Sequence, residues 1–180
     1  MILTLGGPPG SGTSTLANLL KDKLNLHYEY AGAVFRKMAK EKKMALEDFG
    51  EYVTKHPEID KELDEKMIAF AKSKGNHLLE GRMVGALVAK ENIPALKIWL
   101  DASPETRAKR LTVRDNFTYD EAIQKMTRRD DCDRKRYLDL YGIDPAVSGC
   151  YDLKLTSDNL LPEQLAEIII SYINKNLKEI

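Results

Sequence analysis

Nine consecutive residues carry the clearest chemistry in this sequence: Gly7-Pro8-Pro9-Gly10-Ser11-Gly12-Thr13-Ser14-Thr15. Glycines at 7, 10 and 12 let the backbone curl until several N–H groups point inward, and donors so arranged form a nest for an anion. The stretch follows an apolar run and leads into a helical pattern, so the positive end of a helix dipole adds to the nest. A phosphate chain is the anion that fits such a loop, and the nine residues are read as ATP-binding. Ser14 stands where a hydroxyl can ligate the magnesium that accompanies ATP, and Thr15 is placed to reach an α-phosphate. The general pattern is GxxxxGK[ST]. Gly7 and Gly12 match it, but Thr13 occupies the lysine position. The charge a lysine would lay on the β- and γ-phosphates must then come from elsewhere. The plainer alternative is a tight strand-to-helix turn, which leaves the concentration of glycine, proline and hydroxyl residues unexplained.

The loop needs a strand before it and a helix behind it, and the pattern supplies both. Residues 2–5 read as a buried strand, and residues 14–24 place Leu16, Leu19, Leu20 and Leu24 at helical spacing. Further strands are expected at 26–30, 77–79, 96–100 (LKIWL) and 153–155. Helices are expected at 33–43 and at 45–71, with a break near Pro57, where the residue before proline resists the α region. Residues 104–114 open with proline behind Ser103 as N-cap. Residues 119–140 form a charged helix, and 162–177 a closing amphipathic one with Leu165, Ile168, Ile169, Tyr172 and Ile173 on one face. Strands alternating with helices imply an α/β fold, with a five-stranded parallel sheet flanked by helices. Residues 45–73 and 116–149 read as inserts between core strands.

The length of 180 residues suits one compact domain. Lys plus Arg equals Asp plus Glu at 28 each, and that balance argues against a general binder of nucleic acid or membrane. Any anion site must therefore be a local cluster of basic groups. Cys132 and Cys150 belong to no CxxC pair or zinc spacing. The opening apolar run is far too short for a signal peptide or a membrane span. A cytoplasmic chain with reduced thiols is the expectation.

Four segments occur in a fixed order: the loop, Ala31-Gly32-Ala33-Val34-Phe35-Arg36, Leu79-Glu80-Gly81-Arg82, and the run from Arg128 to Arg136 (RRDDCDRKR). Together, and with Tyr141 to Asp144 (YGID), they resemble the nucleoside-monophosphate kinases of the P-loop class, archaeal-type cytidylate kinases in particular. That group tends to carry threonine in place of the loop lysine. The resemblance covers nearly the whole chain. It implies a three-layer P-loop domain with a nucleotide-accepting insert at about 32–73 and a lid at about 116–149. It also implies transfer of the γ-phosphoryl group of ATP, with Mg2+, to CMP or dCMP.

By the same resemblance Arg36 binds the acceptor phosphate. Arg82 follows a strand end, where open α/β sheets place ligands, and its planar fork suits a phosphate. Glu80 closes that strand and can orient magnesium-bound water; a simple ion pair with Arg82 is its alternative. Base recognition is not carried over, because Met83 and Ala33 stand where relatives carry acidic residues. Asp60 and Asp64 are substitutes by chemistry, since cytosine offers an amino donor; Glu47 and Asp48 offer the same chemistry. Asp60 and Asp64 share a helix face at four-residue spacing, and a solvated acidic face is the plainer reading. Arg129, Asp133 and Arg136 fall on one helix face at i, i+4 and i+7. The resemblance turns that face to the substrates, with Arg129 replacing the missing lysine, Asp133 holding an arginine or a ribose hydroxyl, and Arg136 touching either substrate. A solvated ion-pair helix is the alternative. If the lid fails as the source of charge, Arg107, Arg110 and Arg114 stand next in line.

No general base is assigned, because an acceptor phosphate already carries its nucleophilic oxygen. Other acceptors (AMP, UMP or a non-nucleotide acid) remain open, as does a non-catalytic nucleotide-binding regulator. The expected partners are small molecules, ATP and CMP or dCMP, and the oligomeric expectation is a monomer.

Overall fold

The computed structural model describes residues 1–176. Along the chain run β1 (Ile2–Gly6), α1 (Thr13–Leu24), β2 (His27–Tyr30), α2 (Ala31–Glu41), α3 (Leu46–Thr54), α4 (Pro57–Lys72) and β3 (His77–Glu80). There follow α5 (Val84–Lys90), β4 (Leu96–Asp101), α6 (Pro104–Asp115), α7 (Tyr119–Tyr141), β5 (Leu153–Thr156) and α8 (Pro162–Asn176). The sheet order is β2-β3-β1-β4-β5, and every pairing is parallel. The expected five-stranded parallel sheet is therefore the observed one.

β1 lies at the centre, with Leu3 and Leu5 fully buried. One face of the sheet packs against Leu16 and Leu20 of α1 and Leu165, Ile169 and Ile173 of α8. The other face packs against Met67 and Ala71 of α4 and Val84 and Val88 of α5. Burial on both faces is what a parallel sheet requires. The expectation had no helix at α5. It is a seven-residue element whose first five residues are all buried, so its sequence shows no polar face and reads as a plain apolar run. The expected helix at 45–71 divides at Pro57, as its proline demands. The helix expected at 162–177 runs to Asn176, and Leu177 lies outside the described residues.

Local signals set the boundaries near the site. Ser103 caps α6 through a hydrogen bond from the Thr106 amide. Thr118 and Glu121 form a reciprocal capping box at the start of α7, and Gly142 ends that helix at φ 67°. Thus α7 is held at both ends. Its first turns pack Ala122 and Met126 on Ala108 and Leu111 of α6. Its last turns set Tyr137 and Tyr141 against Met83, Ala86 and Leu87.

Candidate active site

The carboxyl ends of β1, β2 and β3 open into one cleft of about 1550 Å³. The loop forms its floor. Gly10 and Gly12 adopt φ 82° and 97°, a region that only glycine enters at little cost. From behind, Arg107 Nε donates to the Pro9 carbonyl at 2.7 Å. Arg110 Nη1 donates to the Gly10 and Ser11 carbonyls at 3.1 and 3.0 Å, and the Ser157 hydroxyl donates to the Ser11 carbonyl at 2.7 Å. Carbonyls drawn backward leave the N–H groups of the first turn of α1 to face the cleft, as an anion nest needs.

Glu80 ends β3 and is only 3% exposed. Its Oε1 accepts from the Thr13 hydroxyl at 2.8 Å and the Ser14 hydroxyl at 2.7 Å, and its Oε2 accepts from the Tyr28 hydroxyl. Burial, reinforced by Glu80, pushes the Tyr28 phenol well up, so it stays a donor. Glu80 was expected to orient magnesium-bound water, within the acceptor-binding group, or to pair with Arg82. The structure shows neither an Arg82 pair nor an acceptor-facing carboxylate. Glu80 turns to the loop hydroxyls, the side on which the magnesium reading places it, because β3 lies beside β1 in parallel register, with Glu80 opposite Leu5. Thr13, in the lysine position, becomes the side chain that ties the loop to this carboxylate. The Ser14 hydroxyl and the Glu80 carboxylate are hard oxygen donors of the kind magnesium takes, so the residues present fit the expected ion.

The opposite wall is built from guanidinium groups. Arg82, at 14% side-chain exposure, pairs with Asp133. Asp133 also receives Arg136 at 2.8 Å, and Arg136 Nε lies 2.6 Å from Asp60 Oδ2. Arg136 is 3% exposed, with its guanidinium over the rings of Phe35 and Tyr137. The chain Arg82–Asp133–Arg136–Asp60 therefore ties the turn after β3 to α7 and α4. Arg136, expected to touch a substrate, is held between two carboxylates. Asp60, expected to bind the acceptor or to lie on a solvated face, is buried against it rather than solvated, and both line the cleft. Asp64 accepts from the Tyr141 hydroxyl at 2.6 Å and lines the cleft. Burial raises its carboxyl to about 6 against the pull of Tyr141, with the neighbouring Asp60 charge adding to the rise. Of the other acidic substitutes, Asp48 pairs with Arg128, and Glu47 lies 3.8 Å from Lys125 at the rim.

Two arginines remain open to the cleft. Arg129 Nε lies 3.9 Å from Asp133, whose oxygens already serve Arg82 and Arg136. Burial, with the Arg82 charge adding to it, lowers the Arg129 guanidinium to about 9. Arg36 is exposed, lines the cleft, and sets its guanidinium 4.8 Å from the centre of the Tyr30 ring. Cations so placed favour an anion between them. Arg114, the third reserve arginine, lines the cleft but is bound to its neighbour Asp115 at 2.6 Å. The sequence had not pointed to Tyr28, Tyr30 or Ser157. The two tyrosines alternate along β2 towards its carboxyl end, a position that could have drawn attention to them; Ser157 left no such signal.

The sequence model of the cytidylate kinase-like family matches residues 2–159. A cytidylate kinase of Methanocaldococcus jannaschii is 41% identical over 180 residues, covering 99% of this chain and 100% of that one. A cytidylate kinase of Pyrococcus horikoshii is 42% identical over 174 residues, covering 97% of this chain and 88% of that one. Among solved structures, an uncharacterized protein from Eubacterium ventriosum superposes with TM-score 0.72 at 16% identity, over 97% of this chain and 98% of that one. A shikimate kinase from Bacteroides thetaiotaomicron superposes with TM-score 0.61 at 14% identity, over the same shares. At such identity the two structures speak for the fold alone.

Proposed function

The chain belongs to the cytidylate kinase-like family, and on that premise we propose that it moves the γ-phosphoryl group of ATP to CMP or dCMP, giving CDP or dCDP, with the two walls of its cleft dividing the labour. Residues 7–15 cradle the phosphates of ATP. Ser14, with Glu80 behind it, holds the magnesium, which when bound supplies charge to the β- and γ-phosphates. Arg36 grips the acceptor phosphate. Arg129 meets the migrating group, where positive charge is most needed and Thr13 offers none. Arg82 and Asp133 frame the reacting phosphates, and Arg136 and Asp60 fix the frame. Asp64 faces the acceptor. The observation that carries this reading is the pair Arg36 and Arg129 lining one cleft with the loop hydroxyls. Among the described residues Arg36 has no ion-pair partner, and Arg129 has only a 3.9 Å approach to an Asp133 that already serves two other arginines.

The acceptor insert is assigned to residues 32–73 and the lid to 116–149. Closure of the lid over the cleft keeps water out, which protects ATP from hydrolysis. The substrates are small molecules, and the working place is the cytoplasm, which suits free thiols at Cys132 and Cys150. Among the described residues, no helix is long and apolar enough to cross a membrane. The test is ADP release with ATP across CMP, dCMP, UMP, AMP and GMP. CMP and dCMP are expected to turn over fastest; faster turnover of AMP or UMP than of CMP overturns the assignment.

A further inference from the structure

We infer that Tyr30 is a positioning residue for the acceptor phosphate: its ring holds the Arg36 guanidinium, and Gly32 is glycine because that ring needs the space. The inference rests on Arg36 as the phosphate-gripping residue and adds what aims it. Arg36 lies one turn into α2 and is exposed. Among the described residues no carboxylate lies within ion-pair distance of it. A free arginine carries large rotamer entropy, which binding a phosphate must overcome. The face of a tyrosine reduces that freedom without neutralising the charge, as a carboxylate would.

Tyr30 is well placed for this. It is the last residue of β2, so the strand fixes where its ring points. The ring lies nearly parallel to that of Tyr28, 6.3 Å away with 12° between planes, and Tyr28 is itself fastened to Glu80. The hydroxyl end of the ring also lies close against Gly32. A methyl group there would come 2.6 Å from Cε2 and 2.9 Å from both Cζ and the hydroxyl oxygen. Gly32 lies inside α2 and is not at positive φ. Its backbone therefore gives no reason for glycine, and alanine is the better helix former. Steric room for the ring is the reason that remains.

The experiment is steady-state kinetics with ATP and CMP on Tyr30→Phe, Tyr30→Leu, Gly32→Ala, Arg36→Ala and the Tyr30→Leu/Arg36→Ala pair, with a thermal melt of each. Tyr30→Leu is expected to raise the KM for CMP about fivefold, the scale of a partly exposed cation–π contact. Turnover and the KM for ATP should stay within about twofold, a change well below that scale. Tyr30→Phe keeps the ring and should stay near wild type. Gly32→Ala should melt no lower than wild type yet raise the KM for CMP as Tyr30→Leu does. In the Arg36→Ala background, Tyr30→Leu should have no further effect. If Arg36→Ala raises the KM for CMP while Tyr30→Leu and Gly32→Ala leave it unchanged, the inference is overturned. An equal Tyr30→Leu effect with and without Arg36 also overturns it. If Arg36→Ala itself leaves the KM for CMP unchanged, the phosphate assignment beneath it is the one that fails.

Discussion

At the loop end of the cleft, positive character comes from the backbone; at the insert end, it comes from guanidinium groups set in a buried ion network. Arg107 and Arg110 hold the carbonyls of the loop, so the loop keeps its shape without a cation facing inward from position 13. Across the cleft, Arg82, Asp133, Arg136 and Asp60 hold one another, and Arg129 and Arg36 are left to act. The dipoles of the loop require no counter-charge and no deprotonation. The arginine wall depends on each carboxylate being present and ionised. The first end is fixed by conformation, the second by charge balance, and mutation should separate the two.

The largest effect is expected where charge balance is broken. Among the described residues, Asp133→Asn leaves Arg82 buried without its ion-pair partner and Arg136 with Asp60 alone. Removing one partner of a buried pair costs about 3–5 kcal/mol. Urea unfolding should show that loss, and a drop under about 1 kcal/mol would place the pair in the weak, solvent-screened class. Arg129→Ala comes next. The nearest carboxylate to Arg129, Asp133 at 3.9 Å, keeps two closer arginines, so stability should hold. Turnover should fall roughly 10²–10³-fold, as when one preorganised donor is lost, while the ATP dissociation constant moves less than about fivefold. A fall below about fivefold in turnover would mean that the lid does not replace the lysine.

At the loop end the expected losses are smaller. Ser14→Ala should cut turnover at least about tenfold, roughly 1.4 kcal/mol of barrier, with magnesium titrations shifted to higher concentration. An unchanged rate at saturating magnesium would move the metal ligand elsewhere, Thr15 first. The last effect concerns Asp64. Its folded carboxyl titrates at about 6 against an ordinary 3.8. Between those values the folded chain holds more protons than the unfolded chain, so this group makes stability fall as pH rises through the window. Asp64→Asn keeps an acceptor for Tyr141 and should flatten that slope, by at most about 3 kcal/mol across the window and by less for a carboxyl that is partly in contact with solvent. Parallel unfolding curves for wild type and variant would mean that Asp64 titrates normally.

The parts of this site that are local in sequence could be read before the fold was known. The loop announces itself because its glycines and hydroxyls are contiguous, and the shared face of Arg129, Asp133 and Arg136 follows from helical spacing. The division of roles along that face could not be read. Whether Arg136 or Arg129 is free depends on Asp60, 76 residues from Arg136, and on the depth of each side chain. Glu80 went to the loop for a similarly non-local reason: the register of β3 against β1. Arg107 and Arg110 had been candidates to bring charge to the phosphates; they reach backbone carbonyls about a hundred residues away. Arg107 also pairs with Asp130 and Arg110 also bonds Ser157, and a spacing rule registers none of these. α5 was invisible because burial all round erases the periodicity that marks a helix.

The central place of β1 bears on how the chain comes to fold. Its neighbours are β3 at residues 77–80 and β4 at residues 96–101. Leu3 and Leu5 therefore leave the ribosome well before their partners, the later of which follows by about ninety residues. At roughly 5–20 residues per second, that is a wait on the order of 5–20 seconds. Through it the nascent chain carries an apolar strand with at least one hydrogen-bonding edge bare, followed directly by the glycine-rich loop. Parallel pairing over such separations is slow to nucleate. The arrival of β4 is thus the earliest moment at which both edges of β1 can be covered, and a stall in synthesis before residue 101 would leave that strand available to other chains.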